Sequence, residues 1–157
     1  KASGKKIINL PGAGAAGGIG GGLSAFLNCE LQSGFDVLAR AASLEDKIRR
    51  SDAVITGEGK TDRQTLFGKL PKRVSDIAET FGVPCILLSG DVENDISAEE
   101  IGVCEIHKIK ENGISLEHCM KNAASLLSER AFAIGKDSKI INKQYSRKQE
   151  KMRENER

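Results

Sequence analysis

The sequence predicts an α/β domain, with a three-layer, Rossmann-like arrangement around a mainly parallel sheet. Short apolar runs alternate with helical patterns along the 157 residues, a length that fits one domain. Hydrophobic residues make up 39% of the chain and aromatic residues only 4%, so Ala, Ile, Val and Leu must build the core. That composition suits parallel strands covered by helices, and right-handed crossovers leave few other arrangements.

The strands are predicted from four short apolar runs, at residues 6–10, 53–55, 85–88 and 103–106. Helical spacing of apolar residues predicts helices at 13–26, 35–49, 72–81, 97–101 and 115–134. Asp36 fits an N-cap or first-turn acid, Pro71 fits a first helical position, and Ser115 can cap the last helix. Polar stretches at 56–69 and 89–91 are predicted to be loops at the carboxyl ends of strands, where open α/β sheets bind ligands.

Charge and cysteine content narrow the class of protein. The net charge is only +2, so no overall field favours nucleic acid or a membrane as a partner. We expect a cytoplasmic protein, because no apolar stretch reaches membrane-spanning length, no signal peptide is visible, and the four cysteines form no close pair.

Lys1 in place of Met suggests a chain cut from a longer one, and residues 136–157 are predicted to form a basic polar tail, mobile or helical.

The first candidate site is the glycine-rich turn, P-G-A-G-A-A-G-G at residues 11–18. Glycine lacks Cβ, so amide groups there can point at an anion, and a helix that starts there adds partial positive charge. Gly12, Gly14 and Gly17 also fit the dinucleotide-binding fingerprint, which leaves a dinucleotide-binding oxidoreductase as an alternative. Asp36 counts against NAD, because it opens a helix instead of closing a strand. Close packing without a ligand is the third possibility.

The second candidate site is T-G-E-G-K-T-D at residues 56–62. It is no Walker A loop, because Val54 stands where that motif requires glycine. It does hold two carboxylates and a cation, at Glu58, Asp62 and Lys60, and phosphoryl transfer uses those residue types. Lys69 can add a second cation. The alternative is a solvated polar turn, and neither histidine, His107 or His118, is assigned a role.

These two motifs, in this order, resemble the bacterial glycerate kinase family. The resemblance covers residues 6–135 and includes D-A-V-I-T-G-E-G-K-T-D-R-Q-T-L-F-G-K-L-P at 52–71 and V-P-C-I-L-L-S-G at 83–90. It implies a two-domain enzyme that transfers the γ-phosphoryl group of ATP to D-glycerate with Mg²⁺. Residues 1–135 would then belong to the C-terminal portion of that enzyme. The N-terminal half of the enzyme would be missing, and residues 1–135 alone would be inactive.

The resemblance also implies roles for individual residues. Asp62 would be the general base or a magnesium ligand, Glu58 would support the metal or orient the loop, and Lys60 with Lys69 would neutralise phosphate. Lys60 stands where the family usually has Arg, and a lysine cannot make the bidentate hydrogen bonds to phosphate that an arginine makes. Residues expected to bind substrate or phosphate are Gly12, Ala13, Gly14, Ala15, Gly17, Gly18, Gly57, Gly59, Thr65 and Lys69. Two questions stay open: whether the glycine-rich turn holds ATP phosphate or glycerate carboxylate, and which hydroxyl is phosphorylated.

Overall fold

A computed structural model describes residues 4, 6–27, 29–111 and 113–143. The chain divides into two compact units, Lys1–Leu44 and Glu45–Arg157, which are treated separately below. The predicted tail begins within the described part, where residues 139–143 are helical, and its remainder lies outside the described residues.

The first unit contains α1 (Ala15–Phe26) and α2 (Gly34–Ala41). The strand predicted at residues 6–10 is wrong, because the described backbone there forms turns. The N–H of Leu10 donates to the carbonyl of Ile7 over 3.0 Å, and the N–H of Ala13 donates to Leu10 over 3.0 Å. Backbone groups that are satisfied by such local bonds need no neighbouring strand.

Close packing accounts for part of the high glycine content of helix α1. A Cβ at Gly21 would lie 2.9 Å from the carbonyl oxygen of Ala13, and one at Gly20 would lie 3.1 Å from the Leu31 side chain. These glycines therefore allow close packing within the first unit. Gly17 and Gly22 face open space, so packing does not account for them.

The helix predicted at residues 35–49 is two helices. Helix α2 ends at Ala41, the backbone turns at Ser43 with a φ of +50°, and α3 follows at Leu44–Arg49. Ser33 caps α2 by accepting a hydrogen bond from the N–H of Asp36. Asp36 is thus the first-turn acid and not the cap. Its negative charge there interacts favourably with the positive end of the helix dipole.

The second unit is built on a parallel three-stranded sheet in the order β1 (Val54–Thr61), β2 (Cys85–Val92), β3 (Glu105–Lys108). Both strand pairs are parallel, which confirms the predicted α/β class. Ile86 and Leu87 of the central strand are fully buried, as their apolar run predicts. Ile134 packs against Ile86 and Leu88 from the helical side.

Strands β1 and β2 run beyond their predicted ends, so the loops predicted at residues 56–69 and 89–91 are largely wrong. The sequence GEG in β1 and SGD in β2 remain in the sheet. A Cβ at Gly57 would lie 2.5 Å from the carbonyl oxygen of Leu88, and a Cβ at Gly90 would lie 2.3 Å from that of Gly59. Here glycine permits close approach of two strands, whereas the predicted loops rest on glycine as a turn-forming residue.

The remaining elements of the second unit are helical. A short 3₁₀-helix (Arg63–Phe67) leads into α4 (Leu70–Thr80), which carries Pro71 in its first turn as predicted. Helix α5 (Ala98–Ile101) follows β2, and its N-terminus is closed by a capping box between Ser97 and Glu100.

The long helix predicted at 115–134 is divided into α6 (Leu116–Lys121) and α7 (Ala123–Asp137). Ser115 caps α6, as predicted. The Asn122 side chain donates to the carbonyl of His118 over 3.0 Å, a local bond that competes with continued helix.

All four cysteines are free thiols. Cys85 and Cys119 are buried and behave as small apolar residues, whereas Cys29 and Cys104 are exposed. Among the described helices, none has both the length and the apolar character needed to cross a membrane.

Candidate functional site

The candidate site lies at the carboxyl edge of the sheet, where β1 gives way to the 3₁₀-helix. Asp62 is the N-cap of that helix, and its Oδ1 accepts a hydrogen bond from the N–H of Gln64 over 2.9 Å. Thr65 completes the capping box by accepting from the N–H of Asp62 over 3.3 Å. Gly68 ends the turn in the left-handed conformation with a φ of +88°. The predicted carboxylate therefore sits on a structured cap and not on a solvated loop.

Asp62 forms an ion pair with Lys69. The Nζ of Lys69 lies 3.0 Å from Oδ1 of Asp62 and donates to it. That hydrogen bond is the main reason that the pKa of Asp62 lies below its ordinary value, with the Gln64 amide and the charge of Lys60 acting in the same direction. Within the described residues, Oδ2 of Asp62 takes no hydrogen bond. Asp62 is thus an ionised carboxylate with one oxygen held and one available.

Glu58 has a similar division between its two oxygens. Its Oε1 lies 2.9 Å from Oγ1 of Thr61 and 2.7 Å from Oγ1 of Thr65. Both threonines are fully buried, whereas Glu58 is partly exposed. Among the described residues nothing donates a hydrogen bond to Oε2. One oxygen is therefore anchored in the protein, whereas the other is not held by any described residue.

Lys60 points to a different partner. Its Nζ donates to Glu93 over 2.8 Å, and this hydrogen bond, followed by the charge of Glu93, raises the pKa of Lys60. More than half of the Lys60 side chain is exposed. Lys60 is therefore positively charged, and its ion pair with Glu93 is weak because both side chains are exposed to solvent.

Three further charged residues lie along the same edge: Asp91, in a polar stretch predicted at a strand end, and two lysines without a predicted role. Asp91, which pairs in register with Lys60, holds Lys108 at 3.1 Å and Lys110 at 2.8 Å. Hydrogen bonds from these lysines, that from Lys110 first, lower the pKa of Asp91 to about 2. The rule that ligands bind at the carboxyl ends of parallel strands points to these positions, since each closely follows or ends its strand.

The other predicted residues of the second unit have different environments. Thr65 is fully buried, with its hydroxyl bonded inside the protein. Gly57 lies against the Leu88 carbonyl, and Gly59 faces open space. The described residues contain no group of three or more His, Cys, Asp or Glu that could hold a metal ion. Nε2 of His107 lies 2.8 Å from Oε2 of Glu105, and among the described residues His107 has no hydrogen bond with Asp62 or Glu58.

In the first unit, the glycine-rich turn has an unusual backbone. Ala16, Gly17 and Gly18 have consecutive φ values of +50°, +71° and +87° inside α1, whose N-cap is Gly14. Gly12 also has a positive φ, +81°. The N–H groups of Ala13 and Ala15 are already used, by the carbonyls of Leu10 and Gly12 respectively. Successive amides in turn conformations form anion-binding concavities in many proteins.

Comparison with known proteins decides the family. Residues 1–139 match the model of the glycerate kinase family. This chain belongs to that family. Among its relatives, the glycerate kinase of Halalkalibacterium halodurans is 38% identical over 129 residues, which cover 82% of this chain and 34% of that protein. The glycerate 2-kinase of Escherichia coli is 42% identical over 90 residues, which cover 57% of this chain and 24% of the relative.

The fold of this glycerate kinase family member also has a solved counterpart. A crystal structure of a proposed glycerate kinase 2 from Salmonella typhimurium LT2 matches with a TM-score of 0.56 and 30% identity, covering 90% of this chain and 34% of that one. The chain spans about a third of the length of the relatives that it matches over most of its own length. These matches give no support to the dinucleotide-binding oxidoreductase alternative.

Proposed function

We propose that the complete protein containing this chain is an ATP-dependent glycerate kinase. It would transfer the γ-phosphoryl group of ATP to a hydroxyl of D-glycerate, forming phosphoglycerate and ADP. The observation that carries the proposal is the presence of two carboxylates, Glu58 within β1 and Asp62 directly after it, in a member of this family. Each carboxylate has one oxygen held by the protein and the other available.

Asp62 is the residue best suited to the glycerate hydroxyl. In phosphoryl transfer, a carboxylate commonly accepts the proton of the attacking hydroxyl or binds the metal that bridges the phosphates. Both roles require an ionised carboxylate, and Lys69 lowers the pKa of Asp62. Both also require access, and the Asp62 side chain is 23% exposed. Lys69 therefore keeps Asp62 charged without covering it.

Glu58 and Asp62 supply the type of ligand that a magnesium site of a kinase uses. Mg²⁺ is commonly held by one or two carboxylates, with phosphate oxygens and water completing its coordination. The available oxygens Oε2 of Glu58 and Oδ2 of Asp62 would be the protein ligands. When bound, Mg²⁺ would offset the charge that develops on the transferred group.

Two lysines would offset further negative charge. Lys69 is 38% exposed and Lys60 is 56% exposed, so both reach solvent near Asp62. Lys60 would exchange Glu93 for a phosphate oxygen when ATP binds. A lysine acts there as a point charge, which suits a phosphoryl group whose oxygens share the charge.

The glycine-rich turn would bind a second anion, either an ATP phosphate or the glycerate carboxylate. The positive φ values of residues 16–18 support this proposal. Among the described residues, no atom lies within 4 Å of a Cβ placed on Gly14 or Gly17, and a Cβ on Gly18 would meet the Ala13 carbonyl oxygen at 3.8 Å. These residues keep the backbone uncovered, so an anion can approach it closely.

The proposal is tested by coupled ADP formation in the full-length protein with MgATP and D-glycerate. We expect ADP release that requires glycerate, and ³¹P NMR of the product would identify the phosphorylated hydroxyl. The control omits glycerate, which separates transfer from ATP hydrolysis. Thermal stabilisation by NADH but not by ATP, without ADP formation, would contradict the proposal and favour an oxidoreductase.

A further inference from the structure

We propose that Thr61, Thr65 and Ser89 are positioning residues that fix the Glu58 carboxylate. They would hold Oε1, so that Oε2 is presented to the magnesium ion or the substrate. The inference rests on the proposed kinase function and goes beyond it, since none of these side chains is assigned that role by the family resemblance.

The first support is the convergence of two buried hydroxyls on one oxygen. Oγ1 of Thr61 and Oγ1 of Thr65 both lie within 2.9 Å of Oε1 of Glu58. Both threonines have zero exposed surface. Hydrogen bonds to an ionised acceptor are stronger than neutral ones, and two of them fix the rotation of the carboxylate.

The second support is the number of hydroxyl hydrogens that the network can use for hydrogen bonds. Oγ1 of Thr61 lies 2.9 Å from Oε1 of Glu58 and 2.9 Å from Oγ of Ser89, but its hydroxyl carries one hydrogen. A carboxylate has no hydrogen to give, so Thr61 donates to Glu58. The Ser89 hydroxyl donates its own hydrogen to the Asp91 carbonyl over 2.7 Å, so Oε1 of Glu58 and Oγ of Ser89 are both acceptors for the single hydrogen of Thr61. Thr61 is thereby held between Glu58 and Ser89.

The third support is the register of the sheet. Ser89 pairs with Glu58 across the β1–β2 ladder, and Ser89 is itself fully buried. The hydroxyl network therefore joins the central strand to the strand that carries the proposed site. Buried hydroxyls are costly when unpaired, so such a network keeps a single arrangement.

Thr65 links the two carboxylates. Its hydroxyl donates to Glu58 and accepts from the N–H of Asp62 over 3.3 Å. Because Thr65 has no exposed surface, we assign it a positioning role in place of direct contact with substrate or phosphate. A change at Thr65 should therefore disturb Glu58 and Asp62 together.

The test compares valine and serine variants in the full-length protein. Thr61→Val and Thr65→Val keep the side-chain shape and remove the hydroxyl, whereas Thr61→Ser and Thr65→Ser keep the hydroxyl. We expect the valine variants to lose about 10- to 100-fold in kcat, as is typical when a group that supports a ligand is removed. We expect KM for glycerate to change little and the serine variants to recover most of kcat.

Ser75→Ala is the matched control. Ser75 is also buried and bonded, to the carbonyls of Lys72 and Ile101, but it lies between α4 and α5. It should lower the melting temperature without lowering kcat. Stabilisation of each variant by MgATP, measured by thermal shift, adds a readout without turnover: we expect it to be weaker in the valine variants than in wild type and Ser75→Ala.

The outcomes separate the two proposals. Valine variants with wild-type kcat and wild-type stabilisation by MgATP would overturn the positioning role and leave the kinase function standing. So would a loss of kcat that serine does not restore and that Ser75→Ala shares. A wild-type protein that forms no ADP with glycerate would instead overturn the kinase function and this inference with it.

Discussion

Lys69 lies 3.0 Å from Asp62, and this ion pair joins the N-cap of the 3₁₀-helix to the N-cap of α4. Because each residue also begins a helical segment, the local backbone holds the pair at the end of β1. The pair links the charge state of the proposed catalytic carboxylate to one identifiable lysine.

Replacing Lys69 should change the pH dependence of the reaction. In Lys69→Met the pKa of Asp62 should rise, because the hydrogen bond that lowers it most is removed. Asp62 would then be protonated at a higher pH, so the acid limb of kcat against pH should move to higher pH. At neutral pH, kcat should also fall, by about 100-fold, since a charge facing the phosphate is lost. The measurement is a kcat profile from neutral pH down to about pH 3, below the ordinary pKa of an aspartate.

Lys72→Met is the control for that profile, since Lys72 pairs with Asp76 on the surface of α4. It should keep the wild-type acid limb. An unchanged limb in Lys69→Met would show that Asp62 ionisation does not control the rate.

Glycine is required at two positions of the sheet. Gly57→Ala and Gly90→Ala would place Cβ atoms 2.5 Å and 2.3 Å from backbone carbonyl oxygens, so the strands must separate. We expect each to destabilise the protein by about 1–3 kcal/mol, the usual cost of overpacking. Thermal and urea unfolding would measure the loss. Gly59→Ala is the matched control, because its Cβ meets nothing within 4 Å. Equal stability of all three variants would contradict the strand pairing described here.

Asp91 should contribute to stability in a defined acid range. Its pKa is lowered to about 2, whereas an unfolded Asp titrates near 3.9. A group with a lowered folded pKa stabilises the protein above the unfolded pKa, and this contribution is lost as pH falls from about 4 towards 2. Asp91→Asn should therefore be less stable at pH 7, by about 1 kcal/mol or less for partly exposed pairs.

The same variant should lose less stability than wild type between pH 4 and pH 2, measured by melting temperature. Asp76→Asn reports the general effect of removing a carboxylate from the surface, since Asp76 is about half exposed. If Asp91→Asn and wild type lost stability in parallel over this range, the ion pairs of Asp91 with Lys108 and Lys110 would not persist in solution.

The cysteines should differ in reactivity. Burial raises the pKa of the Cys85 thiol to about 11, and the neighbouring Cys104 adds to the effect. Thiolate is the reactive form, so Cys85 should resist a thiol reagent at pH 8 while exposed Cys104 reacts. Mass spectrometry after timed labelling would measure both. Labelling of Cys85 as fast as Cys104 in the folded protein would show that β2 is not the buried central strand.

The apolar pattern predicts the strands of the second unit, because Ile86 and Leu87 lie in a run that only a buried strand or helix can use. It does not predict where β1 and β2 end. Glycine serves both turns and close strand approach, and only the position of the Leu88 carbonyl beside Gly57 distinguishes them. The strand predicted at residues 6–10 is wrong because local hydrogen bonds there form turns in place of strand pairing.

The residue types of Glu58, Lys60, Asp62 and Lys69 suit phosphoryl transfer, but without the family resemblance the sequence leaves a solvated polar turn as the alternative. The buried network around Glu58 cannot be predicted from the sequence, because it depends on the pairing of Glu58 with Ser89 across the sheet. Lys108 and Lys110 were missed for a similar reason. They are distant from Asp91 in sequence, and only the parallel order of β2 and β3 brings them together.

The most direct measurement is glycerate-dependent ADP formation by the full-length protein carrying Asp62→Asn. We predict a fall in kcat of about 10²- to 10⁴-fold, the range for loss of a general base, with the fold retained. Asp95→Asn is the control: Asp95 pairs with Arg63 at 2.8 Å and is about half exposed, so it should keep wild-type turnover. Near-wild-type turnover by Asp62→Asn would contradict the account.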